Sequence, residues 1–153
     1  MADALVGYSG FVGSTLLRQR QFDALFRSTN IGDIAGKAFK TVYCAGAPAQ
    51  KWLANKNPID DLANIEALIR CLDKVEADEF VLISTVDVFA SPVSVDEDTV
   101  PNKEGLHAYG RHRLMLEEYV KSRSSRNLIV RLPGLVGPGL KKNIIYDYAH
   151  GNQ

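Results

Sequence analysis

The sequence predicts an α/β fold built on a doubly wound parallel sheet. Three observations predict it: short apolar runs alternate with amphipathic helical patterns, several runs are apolar without interruption, and a glycine-spaced loop directly follows the first run. Uninterrupted apolar strands are typical of parallel sheets that helices cover on both faces. The length of 153 residues is that of one domain, so we expect a single domain over residues 1–153.

Five apolar segments are the candidate strands of this sheet. They are Ala4–Val6, Ala24–Arg27, Thr41–Cys44, Glu79–Ser84 and Asn127–Arg131. Only thirteen residues separate the second segment from the third, and this connection contains turn signals at Gly32 and Gly36. It has little room for a full helix and another strand. The sheet is therefore predicted to be abbreviated between its second and third strands.

Two longer segments carry helix signals. Asn57 can cap a helix that ends near Leu72, and Pro58 suits the first helical position. Apolar residues recur through this helix at helical spacing, namely at Ile59, Leu62, Ile65, Leu68, Ile69 and Leu72. A second helix is predicted over residues 106–122.

The glycine-spaced loop reads Gly7-Tyr8-Ser9-Gly10-Phe11-Val12-Gly13, between a predicted strand and a predicted helix. Glycines permit a sharp turn and let backbone N–H groups approach a pyrophosphate, and the helix N-terminus adds partial positive charge. The loop therefore indicates a dinucleotide site. Its spacing is G-x-x-G-x-x-G and not the commoner G-x-G-x-x-G, so the loop alone leaves an ordinary tight turn open as the alternative.

Composition argues against several other classes of protein. Eighteen basic and eighteen acidic residues give a net charge of zero, without the electrostatic footprint of a nucleic-acid or anionic-membrane binder. Cys44 and Cys71 are the only cysteines, and no Cys or His spacing suggests a metal, so we expect reduced thiols and no metal site. The first strand begins too early for a signal peptide, and no apolar run approaches membrane-spanning length. A cytoplasmic protein is therefore expected.

Three later segments fall in the order that would bring them to the carboxyl edge of the sheet, where open α/β folds bind ligands. The third strand runs into the small residues Ala45-Gly46, which would let the backbone approach a cofactor. The fourth strand ends in two hydroxyl residues, Ser84-Thr85. Tyr109 and Arg113 lie one helical turn apart on one face of the last predicted helix.

With these segments the chain resembles the extended short-chain dehydrogenase/reductase family, the NAD(P)-dependent epimerase/dehydratase group that acts on nucleotide sugars and related substrates. The resemblance spans nearly the whole chain. It implies a Rossmann-like fold, NAD or NADP as cofactor, and a small, sugar-like substrate. The cofactor-binding residues that it implies are Gly7, Ser9, Gly10, Phe11, Val12, Gly13, Ala45, Gly46, Ser84, Tyr109, Arg113, Pro133 and Gly134. It also implies a homodimer through helices 57–72 and 106–122, although their apolar faces would equally serve to cover the sheet.

The same resemblance implies catalytic roles. Tyr109 would be the general acid/base, Thr85 would hydrogen-bond the substrate oxygen, and Ser84 would sit nearer the cofactor. Asn64 would take part in a proton or water relay, while a solvent-facing amide is the usual explanation of a mid-helix Asn. A phenol with a pKa near ~10 is a poor base at neutral pH, and a fixed cation beside it favours the phenolate. The chemistry implied is proton transfer at oxygen coupled to hydride transfer at the nicotinamide C4.

The chain also departs from the pattern of the family. Arg113 stands where the family has Lys, and arginine keeps the charge and can bond a ribose hydroxyl but cannot relay protons. Val86-Asp87 after Thr85 counts against 4,6-dehydration, and Gly134 stands where nucleotide-sugar enzymes commonly place Asn. A second hypothesis follows from these departures, a cofactor-binding sensor or assembly module with little or no turnover.

The choice between NAD and NADP depends on the end of the second strand, where an acidic residue would favour NAD. Arg27 and Ser28 stand there and can bind a 2′-phosphate, which favours NADP slightly over the alternative of a solvent-exposed strand end. Asp33 is a candidate for an adenine contact. Lys141–Asn143 would contact a phosphate or form an exposed loop.

The family normally continues with a C-terminal substrate lobe that is largely absent from this sequence. A fragment, a minimal member with an open active site and a member completed by a partner chain are the three alternatives.

Overall fold

The computed structural model describes residues 2–141 and 143–151 and has a five-stranded sheet at its centre. The strands are β1 (Asp3–Val6), β2 (Ala24–Phe26), β3 (Ala38–Cys44), β4 (Glu76–Thr85) and β5 (Asn127–Leu132). They lie in the order β2-β1-β3-β4-β5, and every neighbouring pair is parallel. The predicted parallel α/β sheet is confirmed, and all five candidate strands are strands, with β3 and β4 each starting three residues earlier than predicted.

Helices flank the sheet, and their bounds are α1 (Phe11–Gln19), α2 (Lys51–Lys56), α3 (Pro58–Leu72), α4 (Ala108–Arg123) and α5 (Ile144–Ala149). Asn57 does occupy the cap position of α3, but its side chain makes no capping hydrogen bond. At α4 the cap is His107, whose Nδ1 accepts a hydrogen bond from the Gly110 amide at 3.0 Å. The short helices α2 and α5 were not predicted from the sequence.

The connection from β2 to β3 confirms the predicted abbreviation. It contains a 3-10 turn, Ile31–Ile34, in place of a helix and a further strand. Asn30 closes the turn, since its Oδ1 accepts from the Arg27 amide at 2.7 Å and its Nδ2 donates to the Leu25 carbonyl at 3.1 Å. The chain then passes to the other side of β1, so β1 is flanked by β2 and β3. This reversal is the topological switch point at which open α/β sheets bind their ligands.

The core lies between the sheet and the helices α3 and α4. Apolar side chains of both helices are buried within the chain, including Ile65 and Leu72 from α3 and Leu116 and Val120 from α4. Burial of such side chains is worth about 1.5–3 kcal/mol each. Covering the sheet therefore accounts for most of these two apolar faces. Ile59, at the start of α3, remains 82% exposed.

Candidate cofactor and active site

The outer glycines of the loop are required by close packing. Gly7 follows β1 with a φ of +85°, a conformation that favours glycine, and its amide donates to the Phe26 carbonyl at 2.7 Å. A Cβ on Gly7 would lie 2.3 Å from the Ala45 carbonyl oxygen. A Cβ on Gly13 would lie 2.0 Å from the carbonyl oxygen of Gly7. These two glycines thus let β1, α1 and the end of β3 meet.

The middle glycine has a different environment. A Cβ on Gly10 would meet only the Gly7 carbonyl oxygen, at an ordinary distance of 3.5 Å. Gly10 is the cap residue of α1, and no side chain caps this helix. The first amide N–H groups of α1 therefore lack a side-chain acceptor, and the helix dipole adds partial positive charge to them. This uncapped N-terminus, at the switch point of the sheet, fits the pyrophosphate of a dinucleotide.

The segment after β2 places a cation beside the loop. The Arg27 guanidinium carbon lies 6.0 Å from the centre of the Tyr8 ring, and its Nε donates to Thr29 Oγ1 at 3.0 Å. Within the described residues its two Nη groups have no hydrogen-bond partner, and Arg27 and Ser28 are both exposed. A guanidinium with free terminal N–H groups suits a phosphate. Asp33 is exposed in the 3-10 turn that follows.

The end of β3 lies directly against the loop. The Ala45 amide donates to the Val6 carbonyl at 2.8 Å, and a Cβ on Gly46 would lie 3.0 Å from Val6 Cγ1. Cys44 is buried beside them, and this burial raises the pKa of its thiol to about 11. The thiol is therefore protonated at neutral pH and packs in the core. Cys71 is also a free thiol, half-buried.

The structure brings Thr85 and Tyr109 together. Thr85 ends β4, Tyr109 is the second residue of α4, both are buried, and the Thr85 hydroxyl lies close enough to the Tyr109 phenol to lower its pKa. Gly110 makes this meeting possible, because a Cβ there would lie 2.1 Å from the Asp87 carbonyl oxygen. Asn55 of α2 accepts a hydrogen bond from the Tyr109 amide at 2.9 Å. Neither Gly110 nor Asn55 was found from the sequence.

Burial decides the ionisation of Tyr109. It raises the pKa of the phenol above its ordinary value, and the nearby carboxylates of Asp87 and Asp61 add to this effect. Arg113 and the Thr85 hydroxyl act in the opposite direction and do not outweigh burial. Arg113 does favour the phenolate, as expected, but burial outweighs it, so Tyr109 is a neutral phenol at neutral pH.

Arg113 has protein partners for both of its Nη groups. Nη1 donates to Asp61 Oδ2 and Nη2 to the Pro48 carbonyl, each at 2.5 Å, and the residue is only 3% exposed. The guanidinium carbon lies 4.0 Å from the centre of the Tyr109 ring. Only the buried Nε lacks a hydrogen-bond partner among the described residues. The ribose contact implied by the resemblance would thus have to use the second N–H of Nη2 or that of Nε.

Asp61 also accepts a hydrogen bond from His112, with 2.6 Å between Oδ2 and Nδ1. Burial alone would raise the pKa of Asp61, but the hydrogen bonds and charges of Arg113 and His112 bring it below its ordinary value. The sequence did contain a signal for this buried carboxylate. Asp61 stands four residues before Ile65 and seven before Leu68, on the buried face of α3.

Ser84 takes a partner in α4. Its hydroxyl donates to Glu117 Oε1 at 2.6 Å, and Glu117 is fully buried. The Arg131 guanidinium binds the same carboxylate with two N–H groups, at 3.0 Å and 2.7 Å. Glu117 in turn raises the pKa of Arg131. The Ser84 hydroxyl is thus engaged with α4, whereas the resemblance implied a place nearer the cofactor.

The structure does not bring Asn64 into this group. It is exposed on α3, and within the described residues its side chain makes no hydrogen bond. Pro133 and Gly134 are exposed in the segment after β5, and a Cβ on Gly134 would meet nothing within 4 Å. A groove of about 260 Å³ separates α1 from this segment. Its lining includes Phe11, Val12, Leu132, Leu135, Val136 and Pro138.

The remaining candidates lie near the end of the described chain. Lys141 is exposed, and Lys142 lies outside the described residues. Asn143 caps α5 through its Oδ1, and its Nδ2 donates to the Leu135 carbonyl at 2.7 Å. In the part of the chain that the structure describes, no helix is long and apolar enough to cross a membrane. The same residues include no group of three or more His, Cys, Asp or Glu side chains arranged to hold a metal.

Comparison with known proteins gives similarity to solved structures. No family model matches the chain, and no curated protein matches it. The dTDP-4-dehydrorhamnose reductase of Bacillus anthracis, solved with NADP, is 18% identical with a TM-score of 0.73, over 97% of this chain and 58% of that one. RMD of Pseudomonas aeruginosa, solved with NADPH, is 20% identical with a TM-score of 0.72, over 97% of this chain and 60% of that one.

An epimerase has the same fold. The UDP-glucuronic acid 4-epimerase of Bacillus cereus, solved with NAD, is 18% identical with a TM-score of 0.67, over 99% of this chain and 63% of that one. The resemblance to the extended short-chain dehydrogenases/reductases is thus confirmed for the fold, which is the Rossmann-like fold of NAD(P)-dependent reductases and epimerases. The chain spans about 60% of the length of these proteins.

Proposed function

We propose that this chain binds NADP(H) at the carboxyl edge of its sheet and reduces a carbonyl carbon of a carbohydrate-like substrate, with Tyr109 as the acid. The observation that carries the proposal is a buried, neutral Tyr109 close to the buried Thr85, in a sheet whose first βα turn offers the uncapped N-terminus of α1. A buried phenol paired with a hydroxyl can act on a substrate oxygen. An uncapped helix N-terminus at the switch point can hold a phosphate.

The proposed cofactor site uses residues from three elements. The amide groups that follow Gly10 would hold the pyrophosphate, and Ala45-Gly46 would face the nucleotide with little bulk. Arg27 and Ser28 would bind the 2′-phosphate, which is the reason to prefer NADP(H) over NAD(H). Similar structures were solved with NADPH, NADP and NAD, and they support the class of cofactor more than this choice.

The proposed chemistry follows from the protonation of Tyr109. When bound, NADPH supplies the hydride for a carbonyl carbon. The raised pKa of Tyr109 leaves the phenol protonated at neutral pH, so it can give a proton to the carbonyl oxygen. Arg113, stacked at 4.0 Å on the ring, would stabilise the phenolate that remains. Oxidation would instead require the phenolate as a base, so we favour reduction.

The carbohydrate-like substrate is supported by two of the similar proteins, dTDP-4-dehydrorhamnose reductase and UDP-glucuronic acid 4-epimerase, which act on sugar nucleotides. Those proteins are longer than this chain. A Cβ on Gly134 would meet nothing within 4 Å, so a larger side chain would also fit at this position. We propose a small hydroxyketone or sugar ketone as the class of substrate. A homodimer through α3 and α4 and a cytoplasmic location remain predictions.

One observation favours a second function. Nη1 of Arg113 donates to Asp61 and Nη2 to Pro48, and the residue is buried, so this cation is engaged within the protein. A chain of this kind would bind NADP(H) with little or no turnover and act as a sensor or an assembly module. Consumption of NADPH with any sugar ketone would exclude this alternative.

The first experiment is a fluorescence titration of the chain with NADPH and with NADH. Saturable binding that is tighter for NADPH is the expected result, and Gly10→Asp is the control that should abolish it. Absence of saturable binding to the folded chain would overturn both functions. The second experiment follows NADPH absorbance with a panel of sugar ketones, comparing the chain with Tyr109→Phe. Turnover that survives in Tyr109→Phe would overturn the acid role.

A further inference from the structure

Asp87 connects the Thr85–Tyr109 pair to a lysine of α2. It lies in the 3-10 turn Val86–Val88 that follows β4, and its Oδ1 lies 2.7 Å from Lys51 Nζ. The Thr85 hydroxyl donates to Asp87 Oδ2 at 3.3 Å and accepts from the Asp87 amide at 3.1 Å. Hydrogen bonds thus run from Lys51 through Asp87 to Thr85, and the Asp87 carbonyl packs against Gly110, the residue that follows Tyr109.

Four titratable groups face Tyr109. Arg113 lies on the same helix as Tyr109, Asp61 on α3 and Asp87 in the turn after β4. The fourth is His107, whose ring centre lies 6.3 Å from that of Tyr109. Arg113 and Asp61 are almost inaccessible and bound to each other, so their opposite charges form a fixed pair. The second charged pair, Asp87 with Lys51, is accessible, with side chains 28% and 48% exposed.

Asp87 disfavours the phenolate form of Tyr109 in two ways. Its carboxylate disfavours a second negative charge on Tyr109, and it takes the hydrogen that the Thr85 hydroxyl would otherwise donate to a phenolate. Lys51 favours the phenolate instead, because its ammonium offsets the negative charge of Asp87.

We propose that Asp87 is a positioning residue that acts through Thr85 to disfavour the phenolate of Tyr109, in addition to the effect of burial, and that Lys51 sets the strength of this effect. The proposal rests on the proposed function in taking Tyr109 as the acid. It explains why a salt bridge joins α2 to the turn after β4 at this place. Lys51 and Asn55, one helical turn apart on α2, both hold the surroundings of Tyr109.

The test is the ionisation of Tyr109 in the full chain carrying ¹³Cζ-labelled tyrosine. The chain has six tyrosines, and Tyr109→Phe identifies the signal by its loss. The ionised fraction is compared at one alkaline pH at which the parent chain is partly ionised and folded by circular dichroism. Asp87→Asn is expected to raise the ionised fraction, and Lys51→Met is expected to lower it relative to Lys51→Arg, whose cation persists at alkaline pH. Opposite shifts are a signature that a merely structural loss would not give.

The exposed ion pair of Lys103 with Glu118, at 2.8 Å, supplies matched controls. Lys103→Met and Glu118→Gln make the same charge changes, and Glu118 stands nine residues beyond Tyr109, about 13 Å along α4. Both controls should leave the ionised fraction unchanged. Shifts of Asp87→Asn and Lys51→Met in the same direction, or no larger than those of the controls, would overturn the proposal. If Asp87→Asn fails to fold, Lys51→Met and Lys51→Arg decide together, since an ionised fraction that is not lower in Lys51→Met than in Lys51→Arg overturns the proposal.

A titration of the parent chain with NADPH separates this proposal from the proposed function. If the Asp87 and Lys51 variants shift the ionised fraction of Tyr109 in opposite directions but the parent chain binds no NADPH, the proposed function is overturned. The effect of the Asp87–Lys51 pair on Tyr109 is then still established. NADPH binding without the shifts would overturn the pair and leave the function standing.

Discussion

Arg113 and Asp61 face each other between α4 and α3, with 2.5 Å from Nη1 to Oδ2 and side chains 3% and 5% exposed. The same carboxylate oxygen contacts His112, and the second Nη group of Arg113 reaches the Pro48 carbonyl. This buried cluster joins two helices and the loop after β3. The cation beside Tyr109 is therefore fixed by the packing of the protein, and that packing decides the effect of substitutions there.

Arg113→Lys is expected to lower the free energy of unfolding. A lysine ammonium cannot reproduce the two separate contacts of the guanidinium, and an unpaired buried group costs about 1–3 kcal/mol. Urea unfolding measures the change. Arg111→Lys, two positions earlier on the exposed side of α4, is the matched control and should be neutral. Equal stability of the two variants would contradict the role given to Arg113.

Asp61 makes the stability depend on pH. The pKa of its carboxyl is below the ordinary value in the folded chain, so the stabilisation is present above the unfolded value of about 4 and is lost as the pH falls through the folded value. The advantage of the parent chain over Asp61→Asn in urea unfolding should therefore shrink as the pH falls below about 4. Exposed Asp60→Asn is the control, and it should show no such trend. A difference that grows as the pH falls below about 4 would refute this assignment.

The fold was predictable because the strands are short apolar runs and α3 carries apolar residues at helical spacing, and both patterns depend on local sequence. Thr85 and Tyr109 were predictable as neighbours, since one ends a central strand and the other begins the helix that packs on that strand. The partners of Ser84 and Arg113 were not predictable. They are set by two buried carboxylates, Glu117 and Asp61, whose positions depend on how the helices meet.

The short helix α2 was missed for a related reason. Its six residues have no capping side chain and a single buried residue, Ala54, so the sequence shows little helical signal. Its importance is tertiary, because Lys51 and Asn55 contact Asp87 and Tyr109. The need for glycine at position 110 was likewise not predictable, because it depends on how closely α4 packs against the Asp87 carbonyl.

Two glycines of one loop should respond in different ways to substitution. Gly10 has room for a side chain at the cap of α1, where aspartate is a favoured residue, so Gly10→Asp should fold at least as stably as the parent chain. Its carboxylate would repel a pyrophosphate, and NADPH binding should be lost. Gly13→Ala should instead lower the melting temperature, since its Cβ would lie 2.0 Å from the Gly7 carbonyl oxygen. Thermal unfolding and NADPH fluorescence measure the two effects, and unaltered NADPH binding by Gly10→Asp would speak against the site.

Arg27→Ala should weaken the binding of NADPH and leave the binding of NADH unchanged. The two Nη groups of Arg27 have no hydrogen-bond partner within the described residues and lie beside the glycine loop, so they are available to a 2′-phosphate that NADH lacks. Charge-assisted hydrogen bonds of about 1.5–3 kcal/mol correspond to a rise of roughly ten- to a hundredfold in the Kd for NADPH. The Kd for NADH should stay unchanged. Arg70→Ala, an exposed arginine of α3, removes the same charge and should alter neither value. Equal weakening of both cofactors would assign Arg27 to the stability of the loop, and no weakening would remove the reason for preferring NADP(H).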